Sequence, residues 1–258
     1  MSELSFWPAV AAATAEPRFL IALAVALLAG LVRGFTGFGS ALIYMPLMSA
    51  VYSPQVAAPT LLLFDTFCSL PFALKVWTQA TRREIVPAAF GGAVFVPLGV
   101  AALIYVDILI LRWFIAALVL IALAVLISGW RYQARPTPAI SFGVGAMAGF
   151  GAGSVQIAAP PLLVFWLGGQ NSAATVRANI MVYFIIEGSL SILAYLFTGL
   201  FDRQVVTLAL LLGVPFAAAM TVGAYFFHGT SDRLYRRIAY VIIAISGLVS
   251  LPLFDALR

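Results

Sequence analysis

Six apolar runs separated by short polar stretches lie at about 55–77, 84–105, 108–130, 173–197, 205–227 and 234–254. Each reaches the roughly 17–25 residues that a bilayer-crossing helix needs, so each predicts one. The connections "TQATRRE", "YVD", "WRYQARPTP", "FDRQ" and "HGTSDR" carry the polar and charged residues expected at membrane edges. None is long enough to fold separately, and residues 1–258 read as a single membrane domain.

Two further apolar stretches, 19–52 and 140–167, are too long or too interrupted by glycine to be ordinary spans. Built as one straight helix, the first would be about 51 Å long at ~1.5 Å per residue, against a hydrocarbon core of roughly 30 Å. Gly34, Gly37 and Gly39 each disfavour helix by about 1 kcal/mol and accept positive φ. The stretch is therefore expected to break into half-helices near 19–32 and 40–52, neither able to span alone.

These two stretches also match each other. "GFGSALIYMP", from Gly37 to Pro46, and "GAGSVQIAAP", from Gly151 to Pro160, superpose both glycines, the serine, an isoleucine and the proline. Each is followed by a short polar turn and three ordinary spans, which predicts two four-segment repeats, 18–130 and 139–255. Internal symmetry with broken segments in corresponding places is the sequence pointer to a transporter's binding site.

The cations suggest how the broken segments run, because Lys and Arg concentrate on the cytoplasmic side. If both segments cross the bilayer, the thirteen basic residues other than Arg33 divide seven to six between the faces. If both are hairpins that enter and leave on one side, nine share a face: Lys75, Arg82, Arg83, Arg131, Arg135, Arg177, Arg233, Arg236 and Arg237. Arg18, Arg112, Arg203 and Arg258 fall opposite. The hairpin arrangement makes the repeats inverted and places both termini outside.

Composition agrees with a membrane solvent. The chain is 64% hydrophobic and 9% charged, where soluble domains run near 45–50% and about 25%. The fold class expected is an all-α polytopic membrane protein whose repeats each combine a re-entrant hairpin with three transmembrane helices. The net charge of +5 comes from cations scattered between apolar runs, which suits topogenic signals and gives no nucleic-acid face. Cys68 is the only cysteine and His228 the only histidine, so no intrachain disulfide and no thiolate or imidazole metal cluster is expected, nor any cofactor. The N-terminal "MSELSFWPAVAAATAEPR" has no basic n-region; it is expected at the membrane surface and not as a cleaved signal.

Candidate chemistry collects at the breaks. A new half-helix starting at the membrane centre points unpaired N–H groups there and carries about half a positive charge, which attracts anions. Gly37, Phe38, Gly39 and Ser40 form the first candidate element, and Gly151, Gly153 and Ser154 the second, with both serines expected as N-caps. Arg33 either binds the anion directly or caps the first half-helix and pairs with Asp65 or Glu187; these roles are compatible. Asp65 and Glu187 read equally as proton-relay groups or as partners of Arg33 or Arg177. Gln156 and Asn179 are neutral donors near the second break that either bind ligand or join helices.

These "GFGS…P" and "GAGS…P" breaks, heading two four-segment halves from about 19 to 253, resemble those of the sulfite exporter TauE/SafE family. The resemblance implies a transporter of sulfite, organosulfonates such as sulfoacetate, or related small anions in the bacterial cytoplasmic membrane. Many relatives carry a glycine triplet where this chain has Gly37, Phe38, Gly39 and Ser40, so the likeness is more specific to fold than to substrate. The leading expectation is a secondary transporter, an exporter working by alternating access on a small anionic substrate within the lipid bilayer. "GFTGFGS" lacks the lysine of a nucleotide-binding loop. Against an intramembrane enzyme, His228 is placed far from both serines, and no catalytic residue is assigned. An anion channel or a permease for another small carboxylate or sulfur anion is the alternative. Oligomeric state, coupling ion and transport direction stay open at this level.

Overall fold

Lipid cannot hydrogen-bond a backbone, so a chain this apolar must satisfy its amides internally, and helices do so within each segment. The computed structural model describes residues 6–129, 137–168, 172–226 and 232–252. Among these residues the regular structure is helical: α1 Phe6–Ala15, α2 Pro17–Thr36, α3 Ser40–Val51, α4 Pro54–Val76, a 3-10 turn Trp77–Gln79, α5 Arg82–Tyr105, α6 Ile108–Ser128, α7 Pro138–Val155, α8 Ala159–Gly168, α9 Ala173–Thr198, α10 Arg203–Phe226 and α11 Asp232–Val249. His228 and the 130–136 connection, both used in the sequence reading, lie outside the described residues.

Short polar caps start the helices where the sequence punctuation stands. Asp107 accepts from the Leu109 N–H at 2.8 Å, Asp202 from Val205 at 2.8 Å and Ser172 from Thr175 at 3.2 Å. Proline opens α2, α4 and α7, where its missing N–H is no loss.

Among the described residues, seven helices are long and apolar enough to cross a membrane: α2, α4, α5, α6, α7, α9 and α10. The sixth expected span, 234–254, overlaps α11, Asp232–Val249. One departure from expectation stands out. The first limbs α2 and α7 are longer than half-helices; at 20 and 18 residues they measure about 30 and 27 Å at ~1.5 Å per residue.

Tertiary packing explains that extra length. A Cβ on Gly34 would lie 1.9 Å from the Met220 carbonyl oxygen of α10, and one on Gly30 would lie 2.6 Å from that of Phe216. On α7, Gly145, Gly149 and Gly153 abut Ala88, Gly92 and Val96 of α5 in the same way. Small residues every fourth position let backbones close up, the device by which helices associate in lipid. Glycines that weaken an isolated helix are thus held helical by a neighbour far away in sequence.

Both long limbs turn back on themselves. The Arg18 guanidinium at the start of α2 stacks over the Tyr52 ring at the end of α3, 5.5 Å from its centroid. On the other hairpin, Tyr183 Oη donates to the Gly145 carbonyl of α7 at 3.0 Å while its ring meets Trp166 of α8 at 6.1 Å. Packing between the two series is reciprocal: α2 lies on α10 and α7 on α5, α3 touches α11 and α8 touches α6, and α4 lies on α9. Outward faces carry large exposed apolar side chains such as Phe67, Val86, Phe90 and Val214, as lipid contact requires.

Candidate anion site between two hairpin turns

The first turn is built on glycine. Gly37 adopts φ 76° and its N–H donates to the Arg33 carbonyl at 2.9 Å, closing α2; Gly39, at φ 97°, then opens α3. Such left-handed backbone is nearly free to glycine and unfavourable to residues with a Cβ. The Thr36 hydroxyl fastens the Phe38 backbone between them. Ser40 is therefore the first helical residue and not the N-cap, and its hydroxyl faces the Asp65 carboxylate.

Arg33, 5% exposed, ties that turn to α4. Its Nη1 donates to the Gly37 carbonyl at 2.9 Å, its Nη2 to Ser69 Oγ at 2.9 Å, and its Nε lies 3.0 Å from Asp65 Oδ1. The guanidinium also stands 5.3 Å from the centroid of the Phe184 ring. Of the roles open in the sequence, capping and pairing with Asp65 are both realised. Three of its five N–H donors face these oxygens, and its charge is matched within the protein.

The second turn differs from the sequence expectation. Gly151, Gly153 and Ser154 do not break the chain; they are the last turns of α7. Ser154 is no N-cap, since its hydroxyl donates to the Phe150 carbonyl at 2.7 Å, one turn back in its own helix. Gly153 packs on Val96, and its carbonyl accepts from Tyr195 Oη at 2.8 Å. Gly151 leaves room for the Ile157 carbonyl, which a Cβ would approach to 2.3 Å, and accepts the Ile157 N–H. The reversal falls on Gln156, which takes φ 57° and donates its N–H to Ala152 at 3.1 Å. Gln156 is the one positive-φ residue other than glycine among those described. Gly37 thus corresponds to Gln156, 119 positions on, whereas the sequence match paired Gly37 with Gly151, 114 positions on.

Both turns border one cavity. Its wall includes Arg33, Gly39, Ser40, Asp65, Thr66 and Ser69 from the first half, and Gln156, Ile157, Ala158, Ala159, Phe184, Glu187 and Gly188 from the second. The N-terminal ends of α3 and α8 therefore open onto a shared space of ≈ 50 Å³. A single water needs ~10–15 Å³ on this measure, so a small oxyanion is of suitable size and a nucleotide is not. The α3 end supplies about half a positive charge and the α8 end less, because Pro160 and Pro161 carry no N–H, while Arg33 and Asp65 cancel.

Other candidates sit elsewhere. Asn179 is fully buried and accepts the Thr81 N–H at 2.7 Å while donating to Glu84 at 3.3 Å; it joins α9 to the start of α5 and does not line the cavity. Arg177 lines a second hollow on the far side of Arg33, with Gly37, Ser69, Met181 and Met220, and so does not pair with Glu187 or Asp65. Phe38 packs into the apolar cluster around Trp166 and Tyr183. Sequence reasoning missed Ser69, Thr66, Ser191 and Tyr195. A helical spacing of four gave a signal for two of them, Asp65 to Ser69 and Glu187 to Ser191.

Comparison with known proteins bears on the whole chain. A model of the family described as Sulfite exporter TauE/SafE matches residues 22–250. No curated protein and no solved structure gives a match.

Proposed function

This chain belongs to the sulfite exporter TauE/SafE family, and we propose that it is a secondary transporter for sulfite or an organosulfonate such as sulfoacetate. The family places it among exporter-type membrane transporters of small anions. The observation that carries the finer reading is the convergence of the α3 and α8 N-termini on one cavity. Helix N-termini hold oxyanions through backbone N–H groups and need no full cation. Arg33, matched by Asp65, then shapes the site and contributes its remaining N–H donors to a ligand oxygen.

Alternating access follows from the reciprocal packing. Because α2 lies on α10 and α7 on α5, each hairpin moves with a helix of the other half, and rocking one pair against the other opens the cavity to either side. The same pattern, together with the matching element order, supports two inverted repeats, and the nine-to-four split of basic residues supports a bacterial cytoplasmic-membrane topology with both termini outside. Purified protein should be stabilised against heating by sulfite or sulfoacetate, and proteoliposomes should show saturable counterflow. Conductive, unsaturated flux would indicate a channel and reject the carrier.

A further inference from the structure

Glu187 is a carboxylic acid on the cavity wall that anion binding at helix ends does not use. It is 5% exposed, and its Oε1 accepts from Ser191 Oγ at 2.6 Å. Among the described residues no Lys or Arg nitrogen lies within ion-pair range of it, whereas Asp65 has Arg33. The titratable and charged groups around it are Tyr183 and Tyr195 on its own helix, Asp65 on α4, and Arg33 on α2. From the α7–α8 turn comes neutral Gln156; α5 brings Glu84 only at its far end, beside Asn179. Among the described residues no surplus cation faces Glu187.

We propose that Glu187 is a proton site loaded together with the anion, so that one proton crosses with each substrate ion. This rests on the cavity being the anion site. The α3 end there offers about half a positive charge, and the α8 end adds less because Pro160 and Pro161 carry no N–H. An ionised Glu187 takes up that charge and repels an entering oxyanion; a protonated Glu187 leaves it free. Ser191 donates to Oε1, so the transferred proton resides on Oε2, and it returns to water when the anion leaves. Raising the pH ionises the carboxyl and lowers anion affinity, and lowering it does the reverse. With a divalent anion the loaded carrier moves one net negative charge, which an inside-negative potential drives outward.

The test uses net sulfoacetate uptake into liposomes that contain the full chain, a trapped pH dye and no internal sulfoacetate, with potassium and valinomycin balancing the charge moved. Sulfoacetate stays ionised between about pH 6 and 8, so it carries no proton of its own. Wild-type protein should acidify the lumen as sulfoacetate enters, and its uptake should weaken as pH rises. E187Q should cut proton movement at least tenfold and flatten the pH profile. S154A, within α7 and away from the cavity, should behave as wild type. Net wild-type uptake without proton movement overturns the assignment while sparing the anion site, as does E187Q that still acidifies the lumen. Absent uptake in wild type instead overturns the anion site and this inference with it. Should E187Q fail to purify as a single species, E187D must keep acidification, and the wild-type measurement decides alone.

Discussion

The two hairpin turns do the same geometric job with different chemistry. In the first, glycine takes the left-handed position and Arg33 sutures the turn to Asp65 and Ser69 of α4. In the second, Gln156 takes that position, and its Nε2 donates to the Ala152 carbonyl at 2.8 Å and to Tyr195 Oη at 3.3 Å. One turn is fixed by charge and the other by neutral donors, so the cavity between them has a paired acid on one wall and an unpaired acid on the other. Two hairpin turns of matching shape can therefore border an asymmetric cavity.

The largest expected effect comes from breaking the charged suture. R33A leaves Asp65 buried without its counter-charge and should cost about 3–5 kcal/mol of stability. Thermal melting of the purified protein checks this, and R33M/D65L should recover most of the loss. If the double variant melts as low as R33A, the pair is not what holds the first turn.

Next come the glycines that pack. G34A and G145A would each place a Cβ 1.9 Å from a neighbouring carbonyl oxygen, so each should destabilise by at least the ~1–3 kcal/mol typical of overpacking. G143A, in the same helix as Gly145 but with nothing within 4 Å of its Cβ, should instead stabilise α7 by up to ~1 kcal/mol. Equal melting shifts for G143A and G145A would remove the distinction between packing and free glycines.

A smaller effect separates the turns directly. G37A forces a Cβ into left-handed backbone at φ 76°, costing about 1–2 kcal/mol. Q156G relieves the same strain but loses the side-chain hydrogen bonds, each worth about 0.5–1.5 kcal/mol. Its net shift should stay within about 1 kcal/mol of wild type, by the same melting assay. Smallest of all, S40A should weaken sulfoacetate affinity by a few fold in titration calorimetry, while S154A should leave it unchanged. A larger loss in S154A would return that serine to the site.

Much of the frame was legible because its causes are local. Apolar runs of span length, proline at helix starts, and Asp or Ser caps lie within a few residues of what they determine. Gly37 and Gly39 were readable as a turn, and Arg33 as a residue needing a partner. The second turn was not readable, since Gly151 and Gly153 look like Gly37 and Gly39, yet Gly151 makes room for the Ile157 carbonyl and Gly153 packs against α5, more than fifty residues away. Ser154 was misplaced for the same reason: an N-cap and a helix-interior serine differ only in where the following turn falls.

Sequence alone determined that this chain is a polytopic helical membrane protein and where most helices begin and end, and it offered the glycine-rich stretches at Gly37–Ser40 and Gly151–Ser154 as candidate breaks. Hydropathy and capping act over a turn or two of chain, so the residues themselves carry that information. Tertiary structure alone decided which glycines turn and which pack, that Arg33 belongs to Asp65, and that Glu187 has Ser191 and, among the described residues, no cation. A glycine's effect depends on the backbone laid against it, and a charge's on its counter-charge. Both come from segments whose approach no local pattern records.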